Sequence, residues 1–211
     1  WHAELLQEVG HAIYREMKEY GCTYWLAPAV NIHRNPLCGR NFEYYSEDPR
    51  LTGLLAAAVT RGVQAEPGFY VTVKHFACNN QEDNRNFVSS EVSQRALREI
   101  YLRGFEICVR ESRPMTVMTS YNGINGVHTS SRRDLVTHLL RGEWGFDGLK
   151  LDFIDRFVLK GSSLEFDARR DYHSLEDAVD ALMIETSEAL RKINPAVLIE
   201  FRQQYMGPAI R

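Results

Sequence analysis

The sequence has no apolar run near the roughly 20 residues that a membrane-crossing helix needs, so a helical bilayer span is set aside. Basic residues are not in excess. The 25 Lys and Arg face 28 Asp and Glu, and a net charge of −3 makes nucleic acid and anionic lipid poor partners. The opening Trp1-His2-Ala3-Glu4 lacks the charged-then-apolar pattern of a signal peptide, which favours the cytoplasm, and it does not read as an initiator start, so the chain is expected to be part of something longer. Cysteine is scarce. Cys22, Cys38, Cys78 and Cys108 lie far apart, with no C-x-x-C pair and no histidine at metal-ligand spacing, so they read as reduced thiols and neither a metal nor another cofactor is expected. There is no internal repeat and no low-complexity tract.

What is present is an ordinary globular composition: 211 residues, 44% hydrophobic and 25% charged, enough for one sizeable core. Helix and strand signals alternate. Residues 3 to 20 place Leu5, Leu6, Val9, Ile13, Met17 and Tyr20 on one helical face, and Gly21 follows as a stop. Further helices are predicted over 51–63, 91–110 and 134–141, and one capped by Ser174 and Asp177 that Pro195 ends. Strands are predicted over 24–30, 70–76, 116–121, 149–153 and 197–201. This beat specifies an α/β fold: a partial (β/α) TIM-type barrel of about five parallel strands with flanking helices, since a closed eight-stranded barrel takes about 250 residues. Open sheet edges of that kind invite self-association.

Polar residues gather at the strand ends. Lys74 and His75, Tyr121, Asp152 and Arg202 each fall where a predicted strand leaves the core, the end at which α/β barrels and open sheets place their sites. Their types suit a sugar, because hydroxyls need directional polar partners and an apolar ring face needs an aromatic platform such as Tyr121 or Phe153. Asp152, between Leu151 and Phe153, fits the nucleophile of a retaining glycosidase, which also needs a second carboxyl roughly 5 Å away as acid/base. His33 and Arg34 read as braces of the long loop 31–49. Glu43, Glu47, Asp48, Glu82 and Asp83 read as loop hydrogen-bonders, and Glu200 as the partner of a cation.

Residues 1 to about 148 resemble the first domain of glycoside hydrolase family 3, the β-glucosidase family. The resemblance rests on Leu26-Ala27-Pro28-Ala29-Val30-Asn31-Ile32-His33-Arg34-Asn35-Pro36 and on Gly39-Arg40-Asn41-Phe42-Glu43-Tyr44-Tyr45-Ser46-Glu47-Asp48-Pro49. It extends through Lys74-His75-Phe76, Asn79-Asn80-Gln81-Glu82 with Arg85, Ser120-Tyr121-Asn122, and Glu143-Trp144-Gly145-Phe146-Asp147-Gly148. It implies that Arg40, Lys74, His75 and Arg85 hold the terminal glucosyl unit and that Tyr121 lies beside the nucleophile. From residue 149 the pattern changes. Leu149-Lys150-Leu151-Asp152-Phe153 and the stretch 197–208 are similar to the barrel of family 36 α-galactosidases, where the Lys-x-Asp aspartate is the nucleophile and the lysine, here Lys150, helps hold the sugar. The expectation is a single barrel-type domain or fragment over 1–211 with a splice near residue 149, acting on carbohydrate through Asp152. An α-galactosidase-like hydrolase is the alternative reading. A chain without turnover is another, because both families draw their acid/base from residues that neither stretch supplies.

Overall fold

A computed structural model describes residues 1–146, 149–151, 175–193, 195 and 199–201. They fall into two compact units, Trp1–Phe146 and Asp147–Arg211. In chain order the first unit contains α1 (Ala3–Glu19), β1 (Tyr24–Trp25), α2 (Pro49–Val63), β2 (Tyr70–Phe76), β3 (Ser89–Ser90), α3 (Gln94–Ala96), α4 (Arg103–Ser112), β4 (Thr116–Thr119), β5 (Gly123–Ile124) and β6 (Val127–His128). The second contains β7 (Leu149–Leu151), α5 (Leu175–Ile193) and β8 (Ile199–Phe201).

Strands β1, β2 and β4 form a parallel sheet in that order, and β7 pairs with β8 in parallel, Lys150 opposite Glu200. These correspond to the five strands expected, three in the sheet of the first unit and two in the pair of the second. The first is shorter than predicted. Pro28 has no N–H to give a neighbour, so the expected strand 24–30 pairs regularly only at Tyr24–Trp25 and touches β2 again at Ala29 opposite Lys74. Pro28 still accepts from the Lys74 amide at 3.0 Å, and the Val30 amide donates to the Lys74 carbonyl at 2.6 Å, which aligns the two loop entries. The predicted helix 91–110 is also modified. A π-helical turn, Leu97–Tyr101, separates α3 from α4, and Asp134–Glu143 is π-helical throughout.

Each helix end has a local cause. Asp48 accepts from the Arg50 and Leu51 amides at 2.7 and 3.4 Å and Pro49 follows, so α2 starts with a capping carboxylate and a residue whose missing N–H is no loss there. Gly21 takes the left-handed φ of +66° just after α1, the conformation that glycine adopts without steric cost. Helix α2 is the packing centre. Ala56, Ala57 and Ala58 are fully buried, and its two faces meet α1 and α4. Over the sheet, Phe76 stands edge-on to Phe105 at 5.3 Å and to Trp144 at 5.7 Å, geometries that aromatic quadrupoles favour. Just past α2, Gln64 spans the sheet's entry edge. Its Oε1 accepts from the Val71 and Met115 amides at 3.3 and 3.2 Å, while its Nε2 donates to the Ser112 and Arg113 carbonyls at 3.4 and 3.1 Å. All four cysteines are free thiols, and no described helix is long and apolar enough to cross a membrane.

Candidate active site

At the exit of β2, Lys74 and His75 leave the sheet beside two loops that carry the remaining charges. Glu43, in the 3-10 turn Asn41–Glu43, bonds to the Arg40 guanidinium with one oxygen and to Lys74 Nζ with the other at 3.1 Å. On the loop after β2, Glu82 holds Arg85 at 2.6 Å and accepts from the Asn79 amide at 2.9 Å. Asn79 also donates to the Tyr44 hydroxyl at 3.1 Å, and Tyr44 donates to the Asn79 carbonyl at 3.1 Å, so the two loops are tied together. Burial pushes the Tyr44 hydroxyl's pKa up, keeping it a neutral donor. Asn80 adds a bond to the Ile32 carbonyl at 2.7 Å. His33 braces its loop as expected, with Nε2 against the Asn41 and Tyr44 carbonyls, whereas Arg34 is exposed.

Tyr121 follows β4. Ser120 and Asn122, on either side of it, are buried and both donate to the Ala77 carbonyl, at 2.8 and 3.2 Å. Those bonds pin the backbone around Tyr121, and the Arg85 guanidinium lies 4.9 Å over its ring, a cation–π contact.

His75 sits at the centre of this charge. It is 4% exposed, and burial first, then the positive charges of Arg40, Lys74 and Arg85, drive its pKa down to about 3. The imidazole is therefore neutral at any physiological pH. Among the described residues, Arg40, Lys74 and Arg85 face two carboxylates, Glu43 and Glu82, which leaves one positive charge over among them.

The linkage to stability has a definite sign. Above the ordinary value of 6.5 His75 is neutral folded and unfolded; as pH falls from 6.5 toward 3 the unfolded chain takes up a proton that the folded chain refuses. His75 alone should thus remove up to about 1.4 kcal/mol of stability per pH unit in that window. Urea melts between pH 7 and 4.5 should show a flatter slope for His75→Gln than for the parent. Equal slopes would refute the assignment.

Of the residues singled out from sequence, Arg40, Lys74, His75, Arg85 and Tyr121 are brought together. Asp152 and Arg202 lie outside the described residues, and Lys150 is described only through its backbone in β7. Sequence reasoning assigned Glu43 and Glu82 to loop hydrogen bonding and missed that they anchor the cations. The signal was there: Arg40/Glu43 and Glu82/Arg85 are both opposite charges three residues apart.

The profile described as "Glycosyl hydrolase family 3 N terminal domain" matches residues 1–198. The chain is 53% identical over 149 residues, 71% of its length, to β-glucosidase A of Butyrivibrio fibrisolvens, and covers 18% of that protein. It is 50% identical over 149 residues, again 71% of its length, to an exo-α-(1→6)-L-arabinopyranosidase of Bifidobacterium longum, covering 20% of it. Among solved structures, β-glucosidase 3B of Thermotoga neapolitana in complex with glucose aligns over 91% of this chain and 29% of its own, with a TM-score of 0.73 and 45% identity. The chain spans about a fifth of the length of the curated relatives it matches. With its parallel strands, flanking helices and family profile in agreement, the chain belongs to glycosyl hydrolase family 3 and represents part of that family's N-terminal, TIM-type domain.

Proposed function

We propose that this chain supplies the glucosyl-binding and nucleophile-bearing part of a retaining glycoside hydrolase of β-glucosidase type, with Asp152 forming the covalent glycosyl ester. The clustering of Arg40, Lys74, His75, Arg85 and Tyr121 carries this reading. Its one surplus positive charge suits a carboxylate that must stay ionised to attack an anomeric carbon. Donors and a neutral imidazole suit sugar hydroxyls, and the Tyr121 ring offers an apolar platform. The solved relatives of Thermotoga neapolitana and Kluyveromyces marxianus hold glucose, at 45% and 36% identity. In this reading Lys150 and Arg202 also contact the sugar. The tail from residue 149 serves the same aspartate whether it descends from this family or is an α-galactosidase-like splice. The splice reading draws on the aligned length of 149 residues in the curated relatives, whereas descent from this family draws on the profile that runs through to residue 198. Self-association through the open sheet edges belongs to the same proposal.

The test is covalent labelling. A 2,4-dinitrophenyl 2-deoxy-2-fluoro-β-glucoside needs no acid, because its phenolate leaves with the bonding electron pair as an aspartate oxygen bonds to C1. Slow, stoichiometric ester formation at Asp152 is expected, with the glucoside faster than the galactoside and almost no turnover of cellobiose, whose poor leaving group requires an acid worth about 10²- to 10⁴-fold. Asp152→Asn should abolish the label. Peptide mapping that finds no adduct, or finds it on Glu43, Glu82 or Glu200, overturns the proposal.

A further inference from the structure

Asn31 and His75 form a closed pair. The His75 backbone amide donates to Asn31 Oδ1 at 2.8 Å, and Asn31 Nδ2 donates to the His75 carbonyl at 2.9 Å. These two backbone groups fix which way the Asn31 amide points, because the flipped amide would set donor against donor and acceptor against acceptor. Oδ1 also lies 3.4 Å from His75 Nδ1. An oxygen with only lone pairs to offer requires a proton on Nδ1, and a neutral imidazole carries just one. Nε2 is then bare, and it has no hydrogen-bond partner among the described residues. The surrounding cations keep the second proton away. Arg40, Lys74 and Arg85 have only N–H groups to offer, so they pair with oxygens that accept.

Resting on the glucosyl-site reading above, we propose that His75 Nε2 is the site's neutral acceptor and that the sugar position facing it must carry a hydroxyl that donates. Positions facing Arg40, Lys74 or Arg85 need only accept. At that position the site reads the polarity of the hydrogen bond, and no substituent lacking an O–H or N–H can satisfy Nε2 there.

Fluorine separates the two demands, since it accepts weakly and never donates. The experiment uses the whole chain labelled with ¹⁵N in histidine, titrated with D-glucose and with its 2-, 3-, 4- and 6-deoxy and deoxyfluoro analogues. At neutral pH the ring-nitrogen spectrum of His75 should show Nδ1 protonated and Nε2 bare. At one sugar position the fluoro and deoxy analogues should both bind about tenfold more weakly than glucose, the loss expected when a buried partner goes unmade. At the cation-facing positions the fluoro analogue should bind more tightly than the deoxy analogue. In His75→Phe the fluoro penalty at the selected position should vanish. A spectrum showing Nε2 protonated, or an imidazolium, overturns the proposal on the unaltered chain whatever the sugars do. The correct tautomer with every fluoro analogue within about threefold of glucose also overturns it. Absence of any response to glucose instead removes the glucosyl reading and the proposal with it, and the tautomer spectrum tells the two failures apart.

Discussion

Glu43→Ala should slow covalent labelling by about 10²-fold or more and lower stability by about 2 to 3 kcal/mol. Among the described residues Glu43 is the one carboxylate that touches both Arg40 and Lys74, and all three side chains are only 15 to 20% exposed. Without it Arg40 and Lys74 lose the carboxylate that both of them hold beside the buried His75. Breaking a buried pair by removing one partner costs about 3 to 5 kcal/mol, and the residual exposure here reduces that. On the proposed glucosyl site the kinetic loss follows from geometry: a guanidinium and an ammonium released from a common anchor would no longer hold the sugar at fixed distance, and misplacement by about 1 Å is worth about a hundredfold. Glu43→Gln, which keeps shape and acceptor but not charge, should fall between alanine and the parent. Labelling kinetics and urea melts on the three proteins settle the point, and an alanine variant that labels within twofold of the parent removes Glu43 from the machinery.

Gly62→Ala should destabilise the fold by about 3 kcal/mol, at the upper end of what overpacking usually costs, although alanine is the better helix former by about 1 kcal/mol. A Cβ at Gly62 would lie 2.1 Å from the Gln7 carbonyl oxygen and 2.8 Å from the Gly10 Cα. Gly10 reciprocates, its Cβ meeting the Val59 carbonyl oxygen at 2.4 Å. These obstacles are backbone, so no rotamer change relieves them and α1 must move off α2. The opposite flank repeats the device, with a Cβ at Gly53 meeting the Gly104 carbonyl oxygen and Ile107 Cβ, both at 2.7 Å. The control is Gly142→Ala, whose nearest neighbour is an ordinary 3.5 Å away. If Gly62→Ala and Gly142→Ala melt alike, the crossing is looser than its geometry states.

Helix α1 and strand β2 were legible almost to the residue, because one carries a clear 3.6-residue apolar face and the other a run rich in β-branched and aromatic residues after a turn signal. Helix α2, predicted over 51–63, starts two residues earlier at Pro49 because the Asp48 side chain caps it. Strand β1 was over-read because periodicity weighs side chains, whereas Pro28 limits pairing through its missing backbone donor. The small sheet of β3, β5 and β6 was invisible. Its two-residue strands are too short for any period, and they exist because the 78–90 loop is laid against the Gly123–His128 turn by tertiary contacts such as Asn125 bonding the Val92 backbone. The π-helical turns escaped as well, since they keep apolar residues roughly where an α-helix would and differ only in hydrogen-bond partner.

In the candidate site the cations that cluster were singled out by type and position, but not their anchors. Glu43 and Glu82 read as ordinary loop carboxylates because a charge three residues away on a loop has no fixed direction until the turn is known. Asn31 was noticed only as part of a motif. Its work, fixing the proton on His75, depends on two backbone groups 44 residues away and has no sequence signature.

The Gln64 bridge bears on where this protein can be engineered. Arg113 and Met115 are exposed residues between a helix and a strand, the profile usually chosen for an inserted tag, a new terminus or a grafted loop. One glutamine holds the Ser112 and Arg113 carbonyls and the Met115 amide there, together with the Val71 amide of the neighbouring strand. An insertion at that turn would pull on two strands at once. The Gly68 turn, with its left-handed φ of +93° and open space around it, offers the permissive site on the same edge.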